Sequence, residues 1–132
     1  MNIKIVNLIN KFSSNSQNYN LSGNVNASIC YFNFLANEWA TLKNQNNSHQ
    51  LKLVTNEIHK NIIHLVEIFP TCRISNDLIE IFSEIVVSYT DEINNDEKKL
   101  DELASVFGNM NVSRKIQMSI DSSTSNISAM EF

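Results

Sequence analysis

Along most of this 132-residue chain apolar residues return every three or four positions, the period of a helix that buries one face. Ile5, Leu8, Ile9 and Phe12 keep that spacing and predict a short first helix over residues 3–12, with a strand as the alternative because Ile3 and Ile5 alternate. Residues 13–23 are a polar run of Ser, Asn and Gln ending in the first glycine, so a loop is expected there, with Ser22 or Asn24 capping the next helix. That second helix is predicted over about 24–45. It breaks at residues 44–48, where Asn47 and Gln50 resemble a capping pair for a third helix over about 49–69. Leu51, Val54, Ile58, Ile62, Leu65 and Phe69 share one face of that helix, and Pro70 ends it by pushing the preceding residue out of the α region. Leu53 and Ile63 fall on its opposite, polar face.

The second helix departs from a single stripe. On a 100° wheel Val25, Ile29, Phe32, Ala36 and Trp39 line one side, while Cys30, Tyr31 and Phe34 point roughly the other way. A helix apolar on two sides is either central in a bundle or covered by a second chain, and the central position is the expectation here.

After a loop at 70–74, Ser75, or Asp77 with Glu80, starts a fourth helix. Its core face is a heptad: Ile79, Phe82, Val86, Tyr89, Ile93, then Asp96, then Leu100, Leu103 and Phe107, with Gly108 as the stop. A continuous helix over 77–107 would be about 45 Å long, more than a bundle of this mass needs. Asn94, Asn95 and Asp96 mark the place to break it, because all three have low helix propensity and Asp96 interrupts the seam. Ile116, Met118 and Ile120 alternate with polar residues and would suit one short strand around 115–120, in a polar segment expected to be a flexible tail. The predicted fold is all-α: a compact bundle of about four main helices, five if the last breaks near Asn95, forming one domain over 1–108 with a tail over 109–132.

Composition agrees with helices. Two glycines and one proline leave few of the tight turns an all-β chain needs, and a domain of this length can bury about two-thirds of its unfolded surface. The 21 asparagines are scattered among isoleucines rather than clustered, which points to base-composition drift more than to a tract. Five N-x-S sequons at Asn20, Asn26, Asn46, Asn111 and Asn126 are close to what this composition yields by chance. Cys30 and Cys72 have no metal-type spacing and read as small hydrophobes. With no apolar signal core at the start and no apolar run of membrane-spanning length, the expected location is a reducing one, the cytoplasm or a host-cell cytosol.

Few residues offer chemistry. His59 and His64 share a helix, but five positions put their rings about 140° apart, whereas two ligands on one face need a spacing of three or four. Glu57, Lys60, His64 and Glu67 form a stripe of alternating charge that suits a solvated face, and His49 and His59 have no evident partner. A di-metal carboxylate bundle needs Glu-x-x-His on two helices, which the chain lacks, and a phosphate loop needs more glycines than it has. Cys30 or Cys72 with a histidine could act as a nucleophile, but no nucleophile signature surrounds either. No cofactor is therefore implied.

Charge is uneven. Between residues 77 and 102 nine carboxylates face only Lys98 and Lys99, while the whole chain carries a net charge of −4. Asp77, Glu80, Glu84 and Asp91 form an acidic ridge opposite the heptad seam, suited to steering a partner with a basic surface; direct nucleic-acid binding is disfavoured by the acidic balance. The functional expectation is a small protein-binding regulator or inhibitor, immunity- or adaptor-like, with Tyr31 and Phe34 as anchors and Asp77, Glu80, Glu84 and Asp91 as steering charges. One alternative is an assembly subunit or homodimer joined through the heptad face of 79–107; another is an enzyme or small-ligand binder without a local motif.

Overall fold

A computed structural model describes residues 1–69 and 74–107. They form α1 (Ile3–Ser16), α2 (Gly23–Asn44), α3 (Ser48–Ile68), α4 (Asn76–Glu92) and α5 (Glu97–Phe107), with no strand among the described residues. The all-α bundle expected from the periodicity is what the chain builds, and the last helix breaks at residues 93–96. Pro70, Cys72, Gly108 and the tail over 109–132, with its strand around 115–120, lie outside the described residues.

Asparagine and aspartate do the punctuation that scarce glycine leaves undone. Asn2 Oδ1 accepts from the Ile5 amide at 3.2 Å to cap α1, and Asn47 Oδ1 accepts from the Gln50 amide at 3.3 Å to cap α3. Asn46 sits at φ 56°, and the amides of Asn46 and Asn47 donate back to the carbonyls of Lys43 and Leu42. That pairing is the Schellman closure of a helix, with asparagine tolerating the left-handed position that glycine usually fills. Asp96 Oδ1 accepts from the Lys99 amide at 3.2 Å, so the residue that interrupts the heptad seam is there to start α5. The polar run after Phe12 behaves differently from expectation: α1 continues to Ser16. Ser13 and Ser16 are buried at its end, and the Ser16 hydroxyl is satisfied locally, donating to the Ser13 carbonyl at 2.6 Å.

α1 packs between α2 and α4, α3 lies against α2, and α5 is laid on α3. Antiparallel register between α2 and α3 is fixed by Asn61 Nδ2, which donates to the Ser28 carbonyl at 3.3 Å. Asn2 hydrogen-bonds Glu92, and Tyr19 Oη reaches Asp77 Oδ2 at 3.3 Å, pairing opposite ends of α1 and α4. Large side chains close the ring between α3 and α4: the rings of Phe69 and Phe82 meet edge to face at 4.7 Å, and Phe12 from α1 lies 5.7 Å from Phe82 and 6.2 Å from Phe69. Around this cluster Ile5, Ile9, Ile29, Phe32, Ile58, Ile62, Leu65, Leu78, Ile85 and Val86 are fully buried. In this arrangement α2 and α4 stand at opposite corners.

Candidate functional site

α2 is a corner helix, not the central one expected. Its first stripe, Val25, Ile29, Phe32, Ala36 and Trp39, is buried in the core, but its second side faces outward, where Tyr31 is 45 % and Phe34 59 % exposed. Their rings stack, with centroids 6.4 Å apart and planes 15° from parallel. Cys30 is exposed on the same side. Tyr31 Oη approaches Glu57 Oε2 of α3 at 3.5 Å, and by the antiparallel register Phe34 lies level with the first half of α3, where Leu53 is 48 % exposed. Leu53 was legible as an apolar residue on the wrong face; Ile63, its companion in the sequence, packs instead against the edge of the core.

The acidic ridge exists as expected. Asp77, Glu80, Glu84 and Asp91 are all exposed along the outer side of α4. Glu80 and Glu84 line a groove of about 460 Å³ between α1 and α4, with Lys4 at its edge and Leu8 and Val87 as its apolar lining. The structure does not bring ridge and aromatics together: one lies on α4 and the other on α2, across the bundle diagonal. The six residues singled out in the sequence therefore belong to two separate faces.

The heptad residues are committed elsewhere. Ile79, Phe82, Val86, Tyr89, Ile93 and Leu103 are buried in the chain's own core, so these positions offer no free face to a second copy.

A third feature left no local trace in the sequence. His59, 4 % exposed and sited where α3, α4 and α5 meet, is hydrogen-bonded at both ring nitrogens: Nδ1 lies 2.6 Å from Tyr89 Oη and Nε2 2.8 Å from Glu102 Oε2. A carboxylate only accepts, so Nε2 carries a proton; in the neutral ring Nδ1 then accepts from the Tyr89 hydroxyl. The order carboxylate, imidazole, hydroxyl is that of a nucleophilic triad, but its chemistry is opposite. Burial, with Asp96 and Glu102 adding negative potential, pushes the Tyr89 pKa well above the ordinary tyrosine value of 10.0. A hydroxyl only 1 % exposed and harder to ionise than usual is a poor nucleophile, so the arrangement is a latch that fastens α5 to α3 and α4. Sequence spacing could not reveal it, because Tyr89 and Glu102 stand 30 and 43 positions from His59.

His64 lies exposed away from this latch, and Glu57 pairs with Lys60 at 3.3 Å on the solvated stripe. Among the described residues no three His, Cys, Asp or Glu side chains are grouped to hold a metal ion, and no helix is long and apolar enough to cross a membrane. The class defined by fold and surface is thus a five-helix bundle, among the described residues, with an unpartnered aromatic face and a separate acidic one. No known family model matches the chain, and neither a curated protein nor a solved structure matches it significantly.

Proposed function

We propose that this chain acts by docking on protein surfaces, as a stoichiometric regulator or inhibitor that covers a partner's surface. The observation that carries the reading is the Tyr31–Phe34 stack, two aromatic rings about half exposed on a rigid helix. Aromatic side chains anchor interfaces because they bury much apolar area while losing little rotamer freedom, and a folded monomer has no stability reason to leave two of them stacked in water. The acidic ridge serves a different contact. Charges on α4 turn a basic partner toward α4 and away from α2, so the groove lined by Leu8, Glu80, Glu84 and Val87 is where such a partner would first meet the molecule.

Catalysis is the poorer reading, since the His59 constellation holds its hydroxyl buried and protonated. Assembly through the heptad face is poorer too, because Ile79, Phe82, Val86, Tyr89, Ile93 and Leu103 on that face are already buried within the chain.

The test uses the full chain as bait in lysate of its native host, comparing wild type with Phe34→Asp and with the triple variant Glu80→Lys, Glu84→Lys, Asp91→Lys. All three baits should show the same helical content, since every altered residue is exposed on the folded chain. A protein partner retained by wild type should be lost on at least one variant; retention of the same proteins by all three would sink the docking reading. For a partner that meets the ridge, charge reversal is expected to slow association several-fold or more at low salt, and the difference should fade at high salt as screening shortens to about 3 Å. An unchanged association rate would remove the steering role.

A further inference from the structure

We propose that the occupant of the α2 face is a second copy of this chain, paired about a two-fold axis that passes close to Phe34. The inference rests on reading the α2 face as a docking surface and names what covers it.

Charge is the first argument. Of the 22 residues in α2 only Glu38 and Lys43 are charged; the outward positions Ala27, Cys30, Tyr31, Phe34, Asn37 and Thr41 are exposed and neutral, and Glu38, half-buried one turn beyond Phe34, is set by two-fold pairing against Cys30 of the other copy and not against its own counterpart. The chain as a whole carries −4, with the negative excess gathered on α4 and α5. Two identical chains meeting through the acidic side would set carboxylate against carboxylate, whereas on the α2 face they meet without like-charge opposition. Nothing on this face selects a partner by opposite charge, as the ridge does for a basic protein. On α3 the neighbouring charges Glu57 and Lys60 already neutralise each other at 3.3 Å.

Position is the second. A two-fold interface places the same patch on both sides; with the axis perpendicular to α2, the residue at the axis faces its own copy and the helices run antiparallel. The midpoint of Gly23–Asn44 falls at Phe34, the most exposed large apolar residue among those described. Two antiparallel α2 helices centred there overlap along their length, ring against ring at the centre, with Tyr31 of each copy meeting Asn37 of the other and Thr41 toward the rims.

Area is the third. A 22-residue helix is about 33 Å long, and α2 with α3 beside it is about 20 Å wide, which gives roughly 650 Å² per copy and about 1,300 Å² in total. That lies within the range of about 1,200–2,000 Å² that specific stable interfaces bury. Leu53 on α3 extends the apolar area at the edge. The dimer so formed leaves both acidic ridges pointing outward, available to a basic partner.

The experiment is sedimentation equilibrium of the full chain across the micromolar range, with reducing agent present. Wild type should move from monomer to dimer with concentration. Phe34→Glu sets two carboxylates against each other at the axis and should weaken the dimer about tenfold or more, while Phe34→Leu should hold it within a few-fold. In a Cys30→Ser background, Phe34→Cys should close a disulfide-linked dimer on oxidation and Asn37→Cys should not, because only a residue at the axis meets its own copy. A wild-type monomer throughout overturns self-pairing, and so does a dimer that Phe34→Glu leaves intact. If self-pairing fails but Phe34→Asp or the ridge variant still loses a heterologous partner, the docking reading stands alone; if neither variant loses any, both fail together.

Discussion

Phe82→Ala is expected to destabilise the protein by about 3–5 kcal/mol, a large part of the roughly 5–15 kcal/mol that holds a domain of this size folded. Phe82 is fully buried, and its ring touches both Phe12 and Phe69, so truncation removes the contact joining α1, α3 and α4. The cost combines lost transfer free energy with the cavity that remains, because neighbours held on three helices cannot all collapse inward. Urea unfolding monitored by circular dichroism should show a lowered midpoint with little change in slope. Phe34→Ala, measured at a concentration where the chain is monomeric, is the matched control. It removes the same atoms from an exposed site and should change stability by no more than about 0.5 kcal/mol. A Phe82→Ala loss below about 1 kcal/mol would mean that the ring cluster is not the centre of the core.

Removing the imidazole of the α5 latch should have the next largest effect. His59→Leu conserves much of the volume but leaves the Tyr89 hydroxyl buried without a partner, at a cost of about 1–3 kcal/mol. It also frees Glu102, so native-state hydrogen exchange should show the amides of α5 losing protection ahead of the other helices. The double variant His59→Leu, Tyr89→Phe should recover much of the loss, because replacing both partners by apolar groups leaves nothing unsatisfied. Additive losses in that cycle would show that the two residues act independently and that the latch is absent. Tyr89 also predicts an alkaline signature. Its folded-state pKa lies above the unfolded value of 10.0, so its contribution is intact below pH 10 and declines as pH rises beyond it, where the unfolded chain ionises first. Against wild type, Tyr89→Phe should flatten the fall in stability above pH 10 by up to one proton's worth of slope.

Signals along the chain are legible wherever the physics is local. The period of apolar residues, the breaks at 44–48 and 93–96, and the caps Asn47 and Ser75 all act within a turn or two of chain, so spacing alone locates them. Other residues mislead when taken by their type and spacing alone. Ser13 and Ser16 look like loop residues until their hydrogen bond and burial are seen, and Asp96 looks like a flaw in a heptad until it caps α5. His59 looks partnerless because Tyr89 and Glu102 come from other helices.

By itself, then, the sequence determined that this is an all-α chain, which faces of its helices are apolar, and that its negative charge gathers late in the chain. Periodicity settles the first two points because a helix turns by a constant angle per residue. Only the tertiary structure decided which of two similar phenylalanines is core and which is surface. Phe32 and Phe34 sit two positions apart on one helix, and what separates them is that α1 and α3 stand against one side of α2 and none of the described helices stands against the other. That choice depends on the order of helices around the bundle, which spacing along a single helix does not encode. The same order sent the acidic ridge and the aromatic stack to opposite corners, making two separate faces of residues that the sequence could only present as one set.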